Sequence, residues 1–229
     1  MSGPRQIPFT FDQRLALDAE DFLVTPANRD AVAWVDRWPD WTAPLLTVWG
    51  PAGAGKTHLT QVFLERTAGL LAKTPDLPRL AAEGPPAAIA VDGLYDGGGI
   101  AAATEEALFH LFNHAKLNGG HILLTGRAAP SRWSIELADL KSRLVGALAV
   151  EITAPDDALI AALIVKLFSD RQVRVDEDVV AYMTQRMGRT YQAVSDLVGR
   201  IDRAALAEKR RITVPLARDV MAAMGDERP

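Results

Sequence analysis

The stretch LLTVWGPAGAGKTHLTQVF, residues 45–63, constrains this chain more than any other. An apolar run that reads as a buried strand meets Gly50-Pro51-Ala52-Gly53-Ala54-Gly55-Lys56-Thr57, and a helical pattern continues from His58. The loop satisfies G-x-x-x-x-G-K-[ST], in which glycines let consecutive backbone N–H groups turn inward onto phosphate oxygens. The following helix offers its positive end. Lys56 is expected to reach the β and γ oxygens, and the Thr57 hydroxyl to take one position around Mg²⁺. ADP or ATP with Mg²⁺ is the ligand set this pattern predicts.

Strands and helices alternate on either side of that anchor. PLLTVWG, AAIAVDG (87–93), HILLTG (121–126) and ALAVEI (147–152) are apolar runs of strand length. THLTQVFLERTAGLLA (57–72) and ATEEALFHLFNHAKLNGG (103–120) carry helical patterns, the second closed by Asn118-Gly119-Gly120. The alternation predicts an α/β fold, a parallel sheet flanked by helices. FLVTPANRDAVAWVDRW turns at Pro26-Ala27-Asn28 before becoming helical, and KTPDLPRLAAEGPP (73–86) reads as a proline-rich connection with little regular structure. After TAPDD the chain is expected to be helical throughout, with Asp156-Asp157 acidic at a helix start. The expected organisation is a tail at 1–19, an α/β nucleotide-binding base at 20–154 and a small all-α lid at 155–229.

Composition narrows the partners. There is no cysteine, which excludes disulfides and thiolate chemistry and suits a cytoplasmic protein. The net charge is −4, and basic against acidic residues number 13 against 17 over 1–155 and 12 against 12 over 156–229. That balance disfavours direct DNA binding as the main task. ALIAALIVKLF (158–168) is interrupted by Lys166 and falls short of a membrane span. His110 and His114 share a helix face without an apparent third metal ligand, so packing or a polar contact is expected of them. Trp34, Trp38, Trp41 and Trp49 read as packing residues, with base stacking as the alternative.

Whether such a site hydrolyses its nucleotide depends on the neighbouring strand. Asp92, at the end of AIAVDG, is the expected metal-side acid, the alternative being a carboxylate that only caps its strand. Many ATPases of this type place a second acid next, where it orients the attacking water. Here that place holds Gly93, which predicts slow turnover by this chain alone.

EEALFHLFNHAKLNGGHILLTGRAAP (105–130), DLKSRLVGALAVEITAPD (139–156) and DFLVTPANRDAVAWV (21–35) resemble the DnaA branch of AAA+ proteins, the likeness extending over about residues 20–222. The resemblance implies an AAA+ base and lid, with Leu23 and Val24 beside the adenine and Thr125 as a polar sensor. DnaA carries a helix-turn-helix domain beyond its lid, and this chain is expected to lack one. Only 36 positions separate Lys56 from Asp92, where DnaA has a longer insertion that serves assembly and single-stranded DNA. RQIPFTF (5–11) resembles the peptide by which proteins enter the pocket of the DNA polymerase sliding clamp, and the features together are similar to the Hda regulators.

That likeness implies a set of roles. Gln6, Ile7, Pro8, Phe9, Thr10 and Phe11 would dock on the clamp; the alternative is that Ile7, Phe9 and Phe11 staple the tail to its own domain. Arg143, in the K-S-R step, would act in trans as an arginine finger on ATP bound to DnaA; the alternative is a surface arginine paired with Asp139. The family's lid sensor arginine aligns with Gln192, with Arg189 one turn earlier as the substitute, and Arg127 stands where an acid is common. These departures favour ADP as the working ligand. DnaA and the clamp are the expected partners, with a nucleotide-dependent homodimer also in view. An autonomous helicase- or transposase-loader ATPase and a DNA-binding initiator fragment are the competing readings.

Overall fold

The computed structural model describes residues 23–226. Its strands are β1 (Leu45–Trp49), β2 (Leu70–Leu71), β3 (Ala88–Tyr95), β4 (His121–Gly126) and β5 (Leu148–Glu151), all parallel in the order β2-β3-β4-β1-β5. Helices α1 (Arg29–Asp36), α2 (Lys56–Thr67), α3 (Leu77–Glu83), α4 (Ala102–Asn118) and α5 (Ala138–Gly146) cover the sheet. Continuous apolar strands are required because both faces are buried. On β4, Ile122 and Leu124 join the core under α3, α4 and α5, whereas Leu123 joins the core under α1 and α2. Leu45 of β1 follows the first set, and Leu46 and Val48 the second.

Central β1 sits between β4 and β5 with Val48 level with Thr125 and Val150. Beyond the strand tips, the Gly50 N–H donates to the Gly126 carbonyl (3.1 Å) and the Ile152 N–H to the Trp49 carbonyl (2.7 Å). A Cβ on Gly50 would stand 2.0 Å from the Ile152 carbonyl oxygen, so a glycine is needed where the phosphate-type loop leaves the sheet. The loop therefore opens at the carboxyl ends of the strands, where parallel sheets bind ligands.

Helices α6 (Asp157–Asp170), α7 (Glu177–Arg186), α8 (Tyr191–Glu208) and α9 (Val214–Asp226) form the lid around their own core, which includes Ile160, Ile164, Phe168, Met183, Val194, Val198, Ile201 and Leu216. Asp156 caps α6 by accepting from the Leu159 N–H (2.8 Å), and Thr190 caps α8 by accepting from the Ala193 N–H (3.1 Å). Caps of this kind stabilise a helix by about 1 kcal/mol.

Two local expectations need correction. The pattern over 57–72 is not one helix: α2 stops at Thr67, Ala68 takes a left-handed conformation, and Leu70-Leu71 form an edge strand against β3. The Thr67 hydroxyl donates to the Phe63 carbonyl (2.8 Å) and accepts from the Gly69 N–H (3.1 Å), closing the helix locally. The proline-rich run is also more regular than expected, with a 3-10 turn at Thr74–Asp76 followed by α3. Pro75 and Pro78 fall in first turns, where no intrahelical N–H is lost, and Leu77 and Leu80 are buried.

Trp34, Trp38 and Trp41 pack as expected, in or against the core under α1 and α2. Trp41 stacks on Phe63 (ring centroids 5.5 Å apart) and donates Nε1–H to the Trp34 carbonyl (2.7 Å), while the His121 ring meets Trp41 and Trp38 edge-on. Burial lowers the His121 pKa below its ordinary 6.5, against a smaller raising effect of a hydrogen bond with the Pro39 backbone. The unfolded chain then takes up the proton first, so stability is full above the unfolded value and declines as pH falls through it. Melting temperatures between pH 7.5 and 5.5 should fall more steeply for the native chain than for His121→Phe; parallel curves would show that His121 does not contribute.

Candidate nucleotide site

The loop from Gly50 to Thr57 turns through left-handed residues at Gly53 (φ +74°) and Gly55 (φ +99°), then passes directly into α2 at Lys56. The Lys56 ammonium folds back over the loop, donating to the carbonyls of Gly50 (2.8 Å) and Pro51 (2.7 Å). Its pKa is lowered, chiefly by burial; Asp92 opposes that shift and Arg127 adds to it. Lys56 and Arg127 thus share one electrostatic environment with Asp92.

Asp92 is held at both oxygens. The Thr57 hydroxyl donates to Oδ2 (2.7 Å) and the Thr125 hydroxyl to Oδ1 (2.6 Å), while the Gly93 N–H donates to Thr125 Oγ1 (2.6 Å). A hydroxyl beside a carboxylate is the hard-oxygen pair that Mg²⁺ takes, so the residues present fit that ion. Gly93 has φ +68°, and the pairing of β3 with β4 shifts register between Val91 and Tyr95. A Cβ at Gly93 would find open space, so its backbone conformation, rather than crowding, favours glycine there.

Beside the loop lies an open cavity of about 540 Å³, walled by Gly53–His58, by Leu23 and Asn28, and by Leu159, Leu163, Thr190, Tyr191 and Gln192 of the lid. Asn28 is buried and locks the entry segment: its Oδ1 accepts from the Thr25 N–H (2.8 Å) and its Nδ2 donates to the Leu23 carbonyl (2.8 Å). Leu23 packs toward the lid core and Val24 toward the base core, so Val24 supports the wall without forming it. The lid touches the loop directly, since a Cβ on Gly53 would lie 2.3 Å from Thr190 Cγ2, and the Tyr191 ring meets His58 edge-on at 6.0 Å.

The two lid sensor candidates part company. Gln192 lines the cavity and donates to Asp196 (2.7 Å), whereas Arg189 pairs with Asp157 (2.6 Å) and lies 3.4 Å from the Pro155 carbonyl. Gly50, Pro51 and Ala52 begin the loop without lining that cavity, and neither do Asp92 and Thr125, which connect to it through the hydrogen bond from Thr57 to Asp92. Gln6, Ile7, Pro8, Phe9, Thr10 and Phe11 lie outside the described residues.

Arg143 does not line this cavity. It is half-buried on the last turn of α5, with its guanidinium over the rings of Phe109 (4.7 Å) and Phe112 (5.0 Å) of α4 rather than against Asp139. The other end of α5 is tied to the same helix. Buried Glu105 of α4 accepts the Glu136 N–H at both oxygens (3.1 Å each) and the Leu137 N–H at Oε2 (2.8 Å), immediately before α5 begins. Sequence reading missed Glu105, Asn28 and the aromatic seat. The signal for Glu105 was its place on the buried stripe with Leu108, Phe112 and Ala115.

Relatives agree with this geometry. Residues 156–221 match the family model described as "Hda, lid domain". An uncharacterised protein of Haemophilus influenzae is 25% identical over 193 residues, covering 80% of this chain and 83% of that protein. The chromosomal replication initiator DnaA of Campylobacter jejuni is 26% identical over 117 residues, covering 51% of this chain and only 27% of the initiator. The fold superposes on AMPPCP-bound DnaA from Aquifex aeolicus with a TM-score of 0.67 at 20% identity, covering 80% of this chain and 64% of that one.

Replacing Glu105 with alanine should remove the acceptor of two partly buried N–H groups and lower unfolding free energy by about 1–3 kcal/mol, read from urea denaturation; an unchanged midpoint would show that the tie does not hold α5. The sheet, the phosphate-type loop, the helical lid and these likenesses give the chain a AAA+ fold similar to that of DnaA, with a lid similar to that of Hda.

Proposed function

We propose that this chain is a nucleotide-holding adaptor that stimulates ATP hydrolysis by DnaA in trans and so limits replication initiation. The observation that carries the reading is the placement of Arg143: outside the chain's own cavity, half-exposed, and pre-oriented on two aromatic rings. A guanidinium over an aromatic face at an exposed site is held by about 0.5–1 kcal/mol. That is enough to bias its pose and little enough to release it to a partner. Its planar fork suits the oxygens of a transferring phosphoryl group, and fingers of this kind raise such rates by about 10³–10⁵.

The chain's own site is suited to retention. The loop N–H groups, the start of α2 and Lys56 favour a diphosphate, with Thr57 and Asp92 holding Mg²⁺. Bound ADP or ATP supplies the negative charge that draws Lys56 away from the Gly50 and Pro51 carbonyls. Glycine at 93 offers no carboxylate to orient water, which supports weak intrinsic turnover. Leu23 and Asn28 bound the cavity on the base side, and Gln192 replaces a lid cation, which favours a diphosphate over a triphosphate. Residues 6–11 supply the clamp-docking peptide, so that the adaptor acts where replication is under way in the cytoplasm. Residues 1–19, 20–154 and 155–229 accordingly serve as docking tail, nucleotide-binding base and lid.

Mixed with ATP-loaded DnaA, clamp and DNA, the chain should accelerate ATP hydrolysis. Arg143→Ala and Arg143→Lys should each lose at least tenfold of that gain while still being retained on immobilised clamp; full stimulation by Arg143→Ala would remove the mechanism. Deleting residues 1–12 should abolish retention on the clamp without changing ADP binding. Retention of the shortened chain would place docking elsewhere.

A further inference from the structure

We propose that the lid carries a second anion site, away from the nucleotide cavity, in which Arg171, Arg200 and Arg203 take a phosphate-type oxyanion over Ser195 and Gly199. The cleft has a volume of about 410 Å³ and is lined by these five residues with Asp196. None of the six lines the nucleotide cavity.

The cleft follows from the pattern of α8. Val194, Leu197, Val198, Ile201 and Ala205 face the lid core. Ser195, Gly199 and Arg203 recur every fourth residue and form a second stripe beside it. Arg171, at the end of α6, reaches this stripe while anchored by an Nη1–H donated to the Leu167 carbonyl (2.7 Å). A Cβ on Gly199 would lie 3.6 Å from Nη1 of Arg203 and 4.0 Å from Nη2 of Arg171. Two guanidiniums from different helices therefore converge on the one residue of the stripe without a side chain.

A helix interior disfavours glycine relative to alanine, and Gly199 does not have the positive φ that would call for it. What its missing side chain provides is room between the cations. Asp196 shares the lining, and Asp202 lies behind Arg171 with its Oδ2 3.9 Å from Arg171 Nε. Asp196 also accepts a hydrogen bond from Gln192 (2.7 Å). An oxyanion placed between the converging forks would accept several charge-assisted N–H bonds and the Ser195 hydroxyl. In a chain of net charge −4, a locally basic cleft with fork-shaped donors suits phosphate better than a carboxylate-rich surface would.

The test uses the full chain carrying Lys56→Ala, so that phosphate cannot report through the loop, with ¹⁵N-labelled arginine and low ionic strength. Titration with inorganic phosphate and then pyrophosphate should move arginine Nε signals saturably. Arg203→Gln and Arg171→Gln should each weaken that binding at least tenfold, and Gly199→Ala should weaken it by crowding the forks, with unchanged far-UV circular dichroism in every variant. A short duplex DNA added in competition separates the sources: displacement of phosphate assigns the site to a nucleic-acid backbone, and no displacement to a free phosphate or phosphate monoester. Absence of saturable shifts, or binding that survives the Arg171→Gln/Arg203→Gln pair, would overturn the proposal.

Discussion

The carboxylate of Asp92 organises the site. Its two oxygens accept hydroxyl hydrogens from opposite directions, Thr57 from the start of α2 and Thr125 from the tip of β4, and so join the loop helix to two adjacent strands. The Gly93 N–H completes the arrangement by donating to Thr125, at a left-handed step within β3 where its pairing with β4 shifts register. Charge-assisted hydrogen bonds are among the stronger ones in proteins, and a carboxylate held at both ends is pre-organised for a hard cation. The same local step places a glycine immediately after this acid.

Two longer-range couplings depend on helices rather than on the loop. At one end of α4, Glu105 accepts the backbone just before α5; one and two turns further along, Phe109 and Phe112 underlie Arg143. The position of the arginine is therefore set by α4 at both ends of α5. At the lid, α8 begins against the loop, with Thr190 in contact range of Gly53 and Gln192 in the cavity wall, and it presents the arginine-lined cleft one turn later. One helix touches both places where an anion is expected.

The phosphate-type loop, the four longer strands and the helical lid were legible because each has a strong local signature: glycines at fixed offsets, continuous apolar runs, or a carboxylate before an amphipathic helix. The edge strand at Leu70-Leu71 was hidden because two apolar residues after a helix continue its periodicity, and only the Thr67 hydroxyl and the left-handed Ala68 break it. Helix α3 was hidden by prolines that argue against helix in general but are harmless in a first turn. Asp92 and Thr125 could be named in advance, but their meeting at 2.6 Å depends on strand register. Arg189 and Gln192 were placed near the site by likeness alone. Their different destinations are set by the ion pair to Asp157 and the hydrogen bond to Asp196, which single-residue reading does not reveal.

The proposed function therefore rests on a site suited to holding a nucleotide, with glycine at 93, and on an arginine displayed outside that site. Single-turnover hydrolysis of radiolabelled ATP by the chain alone, with Mg²⁺ and protein in excess, addresses that central claim most directly. The nucleotide should be retained on the protein and remain largely uncleaved over many minutes. Cleavage at a rate on the order of 1 s⁻¹ or faster, within the ordinary range of enzymes, would contradict it.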